Sequence, residues 1–243
     1  MVWAVFALVV ILLFAFNVDM GSRRSAGDSP QKPLATETSV HAATSAPLPR
    51  PLPRTAAECE ATLQKAGVAH RWLSSSDAEG IAWPIVLEGA VGGVRVEGSG
   101  KPDVDTNDLD CRLAAALLAW APTLLARGVV AIDHFSMYRP KARVDGTDRP
   151  SGHAAGRAID LGVVELRDGR KLSVLEQWRN RALNADPCGH YADDDAGKLL
   201  RELVCDAGAR GFFQVIVTPH HNAAHADHVH LEIDPEASSL WMR

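Results

Sequence analysis

The sequence predicts an α+β domain in which helices pack on one side of a small, mostly antiparallel sheet, and three observations support this class. The strand-like runs are short and bounded by turn residues. The helix-like segments lie early in the chain and between those runs, without the regular alternation of a βαβ repeat. Fourteen prolines and nineteen glycines favour a loop-rich mixed domain over a helical bundle. The 243 residues suffice for one good-sized core or at most two small ones.

A predicted transmembrane helix, residues 1–21, precedes the domain. Residues 2–18 carry no charge and a single amide, Asn17, and this length is at the short end of what spans a bilayer. No small-residue cleavage site follows, which favours an uncleaved single-pass anchor over a signal peptide. Arg23 and Arg24 come after the span, and the positive-inside rule would hold that side in the cytoplasm. Against that rule, we expect an exported C-terminal portion, periplasmic or extracytoplasmic, because the cysteines favour an oxidising compartment.

Residues 22–54 predict a disordered linker. They are rich in Ser, Thr, Ala and Pro, and four prolines lie within residues 46–54. Such a composition cannot bury enough apolar surface to offset the entropy lost on ordering. The folded domain is therefore expected over residues 55–243.

Helix signals open the domain and strand signals close it. Thr55 and Glu58 form a capping-box pattern, and Gly67 ends the helix that follows. A second, amphipathic helix is predicted over residues 107–127, where Pro122 is expected to bend or break it. Further helices are predicted over residues 174–183 and 194–207, and strands over residues 85–87, 94–96, 129–138, 157–164, 212–217 and 228–233.

Charge and composition exclude one class of partner and single out one residue type. The formal net charge is −5 and no basic stripe exists, so we expect no nucleic-acid partner. Five of the ten histidines fall within eleven residues near the C-terminus, a clustering that composition does not explain. They are His220, His221, His225, His228 and His230, of which the first two are expected in a solvated loop.

Four cysteines predict disulfides more than a metal site. None lies in a C-x-x-C pair, which argues against a thiolate zinc site. Four cysteines allow three connectivities, and four free thiols are the alternative in a reducing compartment. For an exported domain the local pairings are favoured, which are Cys59 with Cys111 and Cys188 with Cys205.

Two segments carry the residues typical of catalytic zinc. His153 and Asp160 lie seven residues apart, and Gly156 between them allows a tight turn that folds the histidine back beside the aspartate. His228 and His230 alternate along a strand-like run, so both side chains leave the same sheet face. Two imidazoles and one carboxylate around an open position are what catalytic zinc uses. Either segment alone is a weak signal, since an isolated H-x-H is more often a solvated strand end or a core pair.

Together and in this order, the segments S-x-H-x-x-G-x-A-x-D and H-x-H resemble the lysostaphin and D-Ala-D-Ala metallopeptidase group. The fuller pattern is similar to the branch called the extensin-like C-terminal domain. The likeness extends over residues 59–232 and includes Trp120, Tyr138, Trp178 and the closing run NAAHADHVHLE. Two positions depart from that branch: Gly152 stands where it usually carries Glu, and Tyr138 where cysteine is common.

The resemblance implies a ligand set and a substrate clamp. It implies Zn²⁺ bound by His153, Asp160 and His230. It assigns Arg139 to a substrate carboxylate, which a guanidinium can hold bidentately, with a solvated loop arginine as the alternative. Ser151, the first residue of the first motif, is assigned to substrate binding.

The resemblance leaves the general base open between two neighbours. Relatives carry an acid three residues before the last zinc histidine, and Asp227 occupies that position. Strand alternation sends Asp227 to the opposite face and favours His228 beside the metal, unless a bulge restores Asp227. We expect Asp227 to be the base, His228 to stabilise the oxyanion or support the base, and His225 to help in substrate binding.

The implied function is that of a membrane-anchored zinc metallopeptidase that hydrolyses a peptide bond in cell-wall (peptidoglycan) peptides, as a carboxypeptidase or an endopeptidase. Its expected partners are the wall peptide and, through the N-terminal helix, the membrane. The alternatives are a non-catalytic, zinc-stabilised wall-binding module and a structural anchor without metal. The sequence does not predict an oligomeric state.

Overall fold

Two β-sheets and four helices form the part of the chain, residues 52–99 and 107–243, that the computed structural model describes. The helices are α1 (Ala56–Lys65), α2 (Cys111–Ala126), α3 (Val174–Gln177) and α4 (Asp195–Ala209). The strands are β1 (His70–Trp72), β2 (Pro84–Leu87), β3 (Arg95–Gly98), β4 (Asp108–Asp110), β5 (Val129–His134), β6 (Ala158–Leu166), β7 (Lys171–Ser173), β8 (Val215–Val217), β9 (Val229–Glu232) and β10 (Trp241–Met242).

The α+β class is confirmed, with two sheets, of which the larger is mixed. The larger sheet has the strand order β10-β8-β9-β6-β5-β3, with β7 paired to β6. Its strands pair antiparallel except that β3 runs parallel to β5 and β10 parallel to β8. A smaller antiparallel sheet has the order β1-β2-β4. Helix α2 contacts β5, and α3 contacts β6 and β7, so the helices and the larger sheet share one core.

Helix α1 forms as predicted, with a variation in its cap. The Thr55 hydroxyl accepts a hydrogen bond from the Glu58 backbone N–H at 3.1 Å. The Glu58 carboxylate accepts from the Arg54 N–H at 2.8 Å, so the return bond of the capping box lies one residue earlier than usual. Gly67 follows the helix with a positive φ of 69°, which glycine adopts without strain.

Helix α2 differs from its prediction at both its start and its middle. Asp108–Asp110 pair with β2 as a strand, and the Asp110 side chain then caps the helix by accepting from the Arg112 N–H at 3.0 Å. The helix does not break at Pro122 but continues to Ala126. Trp120 and Leu124, on either side of the proline, are both buried, and this packing outweighs the one backbone hydrogen bond that proline removes.

Helix α3 is a single turn where ten helical residues were predicted. Its C-terminal carbonyl groups are satisfied by Arg181, whose guanidinium donates to the Trp178 oxygen at 2.7 Å and to the Leu175 oxygen. Without this side-chain cap, the same carbonyl groups would need hydrogen bonds from a further helical turn, so the cap lets the helix end here. Strand β8 is likewise shorter than predicted, and strands β1, β7 and β10 were not predicted, because two or three residues show no period-two pattern.

Both predicted disulfides are confirmed. Cys59–Cys111 joins α1 to the start of α2, and Cys188–Cys205 joins the loop before α4 to that helix. Among residues 52–99 and 107–243, no helix has the length and apolar character needed to cross a bilayer. The predicted anchor and nearly all of the predicted linker lie outside the described residues.

The two disulfides should contribute unequally to stability, because they close loops of different length. The separations are 52 residues for Cys59–Cys111 and 17 for Cys188–Cys205. Loop-closure entropy then gives about 4 and about 3 kcal/mol. Urea unfolding of the two Cys→Ser double variants should show the Cys59/Cys111 variant about 1 kcal/mol less stable than the other. A larger loss from opening the shorter loop would contradict this ranking.

Candidate metal centre

A tight turn and one strand pairing bring three distant side chains together. The Ser151 hydroxyl accepts from the His153 N–H at 3.4 Å and caps the short 3₁₀ turn Gly152–Ala155. Gly156 ends that turn with a φ of 61°, and a Cβ there would lie 2.8 Å from the Asp110 backbone nitrogen. Only glycine fits this position, so the chain reverses here and enters β6. Asp160 in β6 then pairs directly with His230 in β9.

The three side chains form a compact, buried triangle. The His153 Nε2 lies 2.9 Å from the Asp160 Oδ1 and 3.1 Å from the His230 Nδ1, and the latter two atoms are 3.1 Å apart. Ligands bound to zinc at about 2.0–2.1 Å in a tetrahedron are about 3.3 Å apart, so the spacing fits a zinc ligand set. Within the described residues this is the one group of three side chains spaced to hold a metal ion.

Hydrogen bonds made by the outward-facing atoms of the triangle determine which ring nitrogens carry hydrogen and which face inward. The His153 Nδ1–H donates to the Met137 carbonyl oxygen at 3.1 Å, since a carbonyl only accepts. The His230 Nε2–H donates to the Glu232 carboxylate at 2.9 Å. The Asp160 Oδ2 accepts from the Ser136 hydroxyl at 3.1 Å. These bonds leave the His153 Nε2 and His230 Nδ1 lone pairs available as ligands, the arrangement typical of histidine metal sites.

Without a metal, the triangle holds a proton. Burial lowers the pKa of His153. Burial also acts to lower the pKa of His230, but hydrogen bonds to Asp160 and Glu232 outweigh it and raise that pKa to about 9. Burial acts to raise the pKa of Asp160, but the bonds from both histidines hold it well below its usual value. At neutral pH the metal-free protein therefore keeps an imidazolium at His230 beside a carboxylate at Asp160.

His228 lies on the same face as His230, as strand alternation predicts, and Asp227 lies behind it. The His228 Nε2 is 3.7 Å from the Asp160 Oδ1, and the His228 Nδ1–H donates to the Asp227 Oδ1 at 2.8 Å. The Asp227 side chain is 50% exposed, and its described contact is with His228, not with the triangle. Asp227 therefore reaches the centre only through the imidazole.

The residues assigned to substrate binding lie at different distances from the centre. The Arg139 guanidinium is 47% exposed and lies 3.5 Å from the Asp160 Oδ2, at the mouth of the site. The His225 ring lies 5.0 Å from the His228 ring, and its Nδ1–H donates to Asn222 at 2.7 Å. Burial and the neighbouring His228 lower the pKa of His225 to about 4, so this imidazole is neutral. The described hydrogen bond of the Ser151 hydroxyl is the turn cap given above, which supports His153.

Two supporting residues were missed from the sequence, and one of them could have been found. Glu232 lies two residues after His230 in a strand, so alternation places both on one face. A Cβ at Gly152 would lie 2.3 Å from the Glu232 carboxylate carbon, so the missing side chain makes room for that carboxylate. Ser136 follows β5 without any motif to mark it. The expectation of a solvated loop at His220 is wrong, because this side chain is fully buried.

Comparison with known proteins gives one finding. A family model described as the extensin-like protein C-terminus matches residues 57–241. Searches of curated proteins and of solved structures gave no match.

Loss of any corner of the triangle should abolish zinc retention. We expect His153→Ala and Asp160→Ala to lower the zinc content from one ion per chain to near zero, as measured by elemental analysis after dialysis. His225→Ala is the matched control, because this neighbouring histidine lies outside the triangle, and it should keep its zinc. Full zinc content in either corner variant would refute the ligand assignment.

Zinc binding should release at least one proton at neutral pH. His230 is protonated below a pH of about 9 in the metal-free protein, and its Nδ1 must lose that proton to bind metal. Zinc affinity should therefore rise about tenfold per pH unit up to about pH 9 and level off above it. Titration calorimetry in two buffers of different ionisation enthalpy measures the proton count. Glu232→Gln removes a group that raises the pKa and should move the plateau to lower pH; absence of proton release at pH 7.5 would be inconsistent with this account.

Proposed function

The chain belongs to the extensin-like protein C-terminus family, and from this premise we propose that it is a zinc metallopeptidase that hydrolyses a peptide bond in cell-wall peptides. The observation that carries the proposal is the buried triangle of His153, Asp160 and His230, with its outward atoms hydrogen-bonded and its inward atoms facing one another. The same residues support the likeness to the lysostaphin and D-Ala-D-Ala metallopeptidase group, which uses this order of ligands.

The ligand chemistry fits zinc. The His153 Nε2, the Asp160 Oδ1 and the His230 Nδ1 would hold the ion, and two nitrogens with one oxygen are a ligand set of catalytic zinc enzymes. When bound, zinc supplies Lewis-acid chemistry that polarises a carbonyl and acidifies water. With both imidazoles neutral as ligands, the Asp160 carboxylate offsets part of the charge of a divalent cation. A purely apolar pocket could not do so.

His228 is the group placed to move the proton. Its Nδ1–H is held by Asp227, so in the neutral imidazole the lone pair lies on the Nε2, which is 3.7 Å from the Asp160 Oδ1. In the proposed reaction this Nε2 takes a proton from water as the water oxygen bonds to the amide carbon. It returns the proton to the amide nitrogen as the C–N bond breaks. Asp227, which the sequence favours as the base, would then act by orienting His228 and stabilising its charged form.

Arg139 is placed to hold the substrate. Nearly half of its side chain is exposed, and its guanidinium stands beside the triangle, 3.5 Å from the Asp160 Oδ2. A peptide carboxylate could therefore take its open face bidentately and fix the scissile bond near the ligands. Such a clamp would favour a bond close to a free carboxylate, as in a carboxypeptidase.

The two disulfides support an exported location for the domain. Structural disulfides form and persist in oxidising compartments and are rare in the cytosol. We propose that residues 1–21 anchor the chain in the membrane and that residues 22–54 separate the domain from it, on the extracytoplasmic side.

A second function, a zinc-stabilised wall-binding module, has one observation in its favour. The His228 Nε2 lies 3.7 Å from the Asp160 Oδ1, close to the spacing of two ligands on one ion. If His228 were a fourth ligand, the site would be closed and structural instead of open and catalytic.

Replacement of His228 tests the two functions together. For the peptidase, His228→Ala should keep one zinc per chain and lower kcat on isolated wall fragments by about 10²–10⁴-fold. Asp227→Asn should also lower kcat with zinc retained, because it disturbs the tautomer of His228. Released peptides are measured by chromatography, with chelator-treated protein as the blank. Loss of zinc from His228→Ala, together with an inert wild-type protein, would instead favour the binding module.

A further inference from the structure

A row of ring side chains leads from the candidate metal centre to the edge of the larger sheet. The ring centroids of His228 and His225 are 5.0 Å apart, those of His225 and His221 5.7 Å, and those of His221 and Trp241 6.0 Å. We call Trp241, His221 and His225 the ring row. Each ring contacts the next, so the row forms a continuous path outward from His228.

Strand register places the far end of this row on the site face. Glu232, which hydrogen-bonds His230, pairs with Val215 of β8, and Val215 pairs with Trp241 of β10. Residues paired across neighbouring strands point to the same face of a sheet. Trp241 therefore stands on the face that carries the triangle, two strands or about 10 Å from Glu232.

Trp241 is the exposed residue of the two in strand β10. It is 44% exposed, while its strand neighbour Met242 packs against the core. A single exposed tryptophan is unremarkable on a protein surface. This one lies on the site face and contacts the imidazole that leads to the centre, so its open indole face belongs to the approach to the triangle.

The two sides of the centre differ in charge. On one side stand Arg139 and, beside the turn that holds His153, a cleft of about 330 Å³ whose charged lining residues are Lys141, Arg143 and Glu79. On the other side is the ring row, whose members form no salt bridge with any described residue. A ligand that spans the centre would therefore meet the Arg139 guanidinium at one end and aromatic and imidazole rings at the other.

We propose that the ring row is a subsite for a sugar ring of the cell-wall polymer, so that the substrate is a peptide still attached to its glycan. This inference rests on the proposed function and names its substrate. The flat indole packs against the apolar C–H face of a pyranose, and imidazole nitrogens hydrogen-bond its hydroxyl groups. The peptide carboxylate then lies at Arg139, and the glycan-linked end lies toward Trp241.

The length of the row suits this orientation. The three ring-to-ring steps from His228 to Trp241 are 5.0–6.0 Å each, and an extended peptide advances about 3.3–3.6 Å per residue. The path from His228 to Trp241 therefore takes at most about five residues. A short stem peptide can reach from the reacting bond to its sugar along it.

Sugar binding can be tested apart from cleavage. Titration calorimetry with chitotetraose should show binding to the wild-type protein and at least tenfold weaker binding to Trp241→Ala, while Trp241→Phe should recover part of the affinity. Trp72→Ala is the matched control, because Trp72 is 38% exposed but lies in β1 of the smaller sheet, and it should bind like wild type. Thermal unfolding checks that Trp241→Ala remains folded. Equal binding by wild type and Trp241→Ala, or none by wild type at millimolar sugar, would overturn the inference.

Cleavage then separates this inference from the proposed function. The ratio of kcat/KM for a disaccharide-linked peptide to that for the free peptide should fall about tenfold in Trp241→Ala and stay constant in Trp72→Ala. An unchanged ratio in Trp241→Ala would overturn the sugar subsite while leaving the peptidase intact. A third outcome is that the wild-type protein cleaves neither substrate while Trp241→Ala still loses chitotetraose binding. That result would overturn the peptidase and keep the sugar subsite.

Discussion

The pairing of Asp160 with His230 across β6 and β9 is the constraint on which the rest of the site depends. Because side chains alternate along a strand, a shift of this register by one residue would turn one of the two proposed ligands toward the core. The same register sets the face of Glu232, which orients His230, and through β8 the face of Trp241. His153 joins them only because Gly156 allows the chain to turn back before β6 begins. The proposed coordination, its hydrogen-bond support and the proposed substrate approach thus all depend on one strand alignment.

The triangle is expected to contribute little to the free energy of unfolding, because burying its charged groups costs about as much as their attraction returns. Removing a carboxylate and an imidazolium from water costs several kcal/mol per ion, and their mutual attraction recovers that cost only with good geometry and further hydrogen bonds. Here every outward atom of the triangle has a partner, from Met137, Ser136 or Glu232. Such complete satisfaction keeps the buried charges in one arrangement, ready for a cation that replaces the shared proton. The arrangement therefore supports the proposed metal site better than a role in holding the fold together.

Much of the fold and of the centre could be predicted from local patterns, and the failures have physical causes. The cap at Thr55, both disulfides and the common face of His228 and His230 follow from short-range rules of capping, spacing and alternation. The helix does not break at Pro122 as expected, because packing of Trp120 and Leu124 outweighs the tendency of proline to interrupt a helix. The predicted length of α3 was too great, because Arg181 caps the helix carbonyl groups and no periodicity in the sequence reveals such a cap. The burial of His220 depends on contacts with distant parts of the chain, among them the Arg201 guanidinium, and no pattern within its own segment indicates them.

The glycine at position 152 shows how a departure from a family pattern can be structural. The extensin-like branch that the chain resembles usually carries Glu there, yet a Cβ at Gly152 would meet the Glu232 carboxylate at 2.3–2.7 Å. The two side chains cannot both occupy this space without displacement of one of them. In this chain the Glu232 carboxylate, held by β9 beside the His230 Nε2, fills the space that a side chain at position 152 would need. A carboxylate held by a paired strand is more precisely placed than one held by a loop, so the position of Glu232 beside His230 depends on the register that aligns the centre.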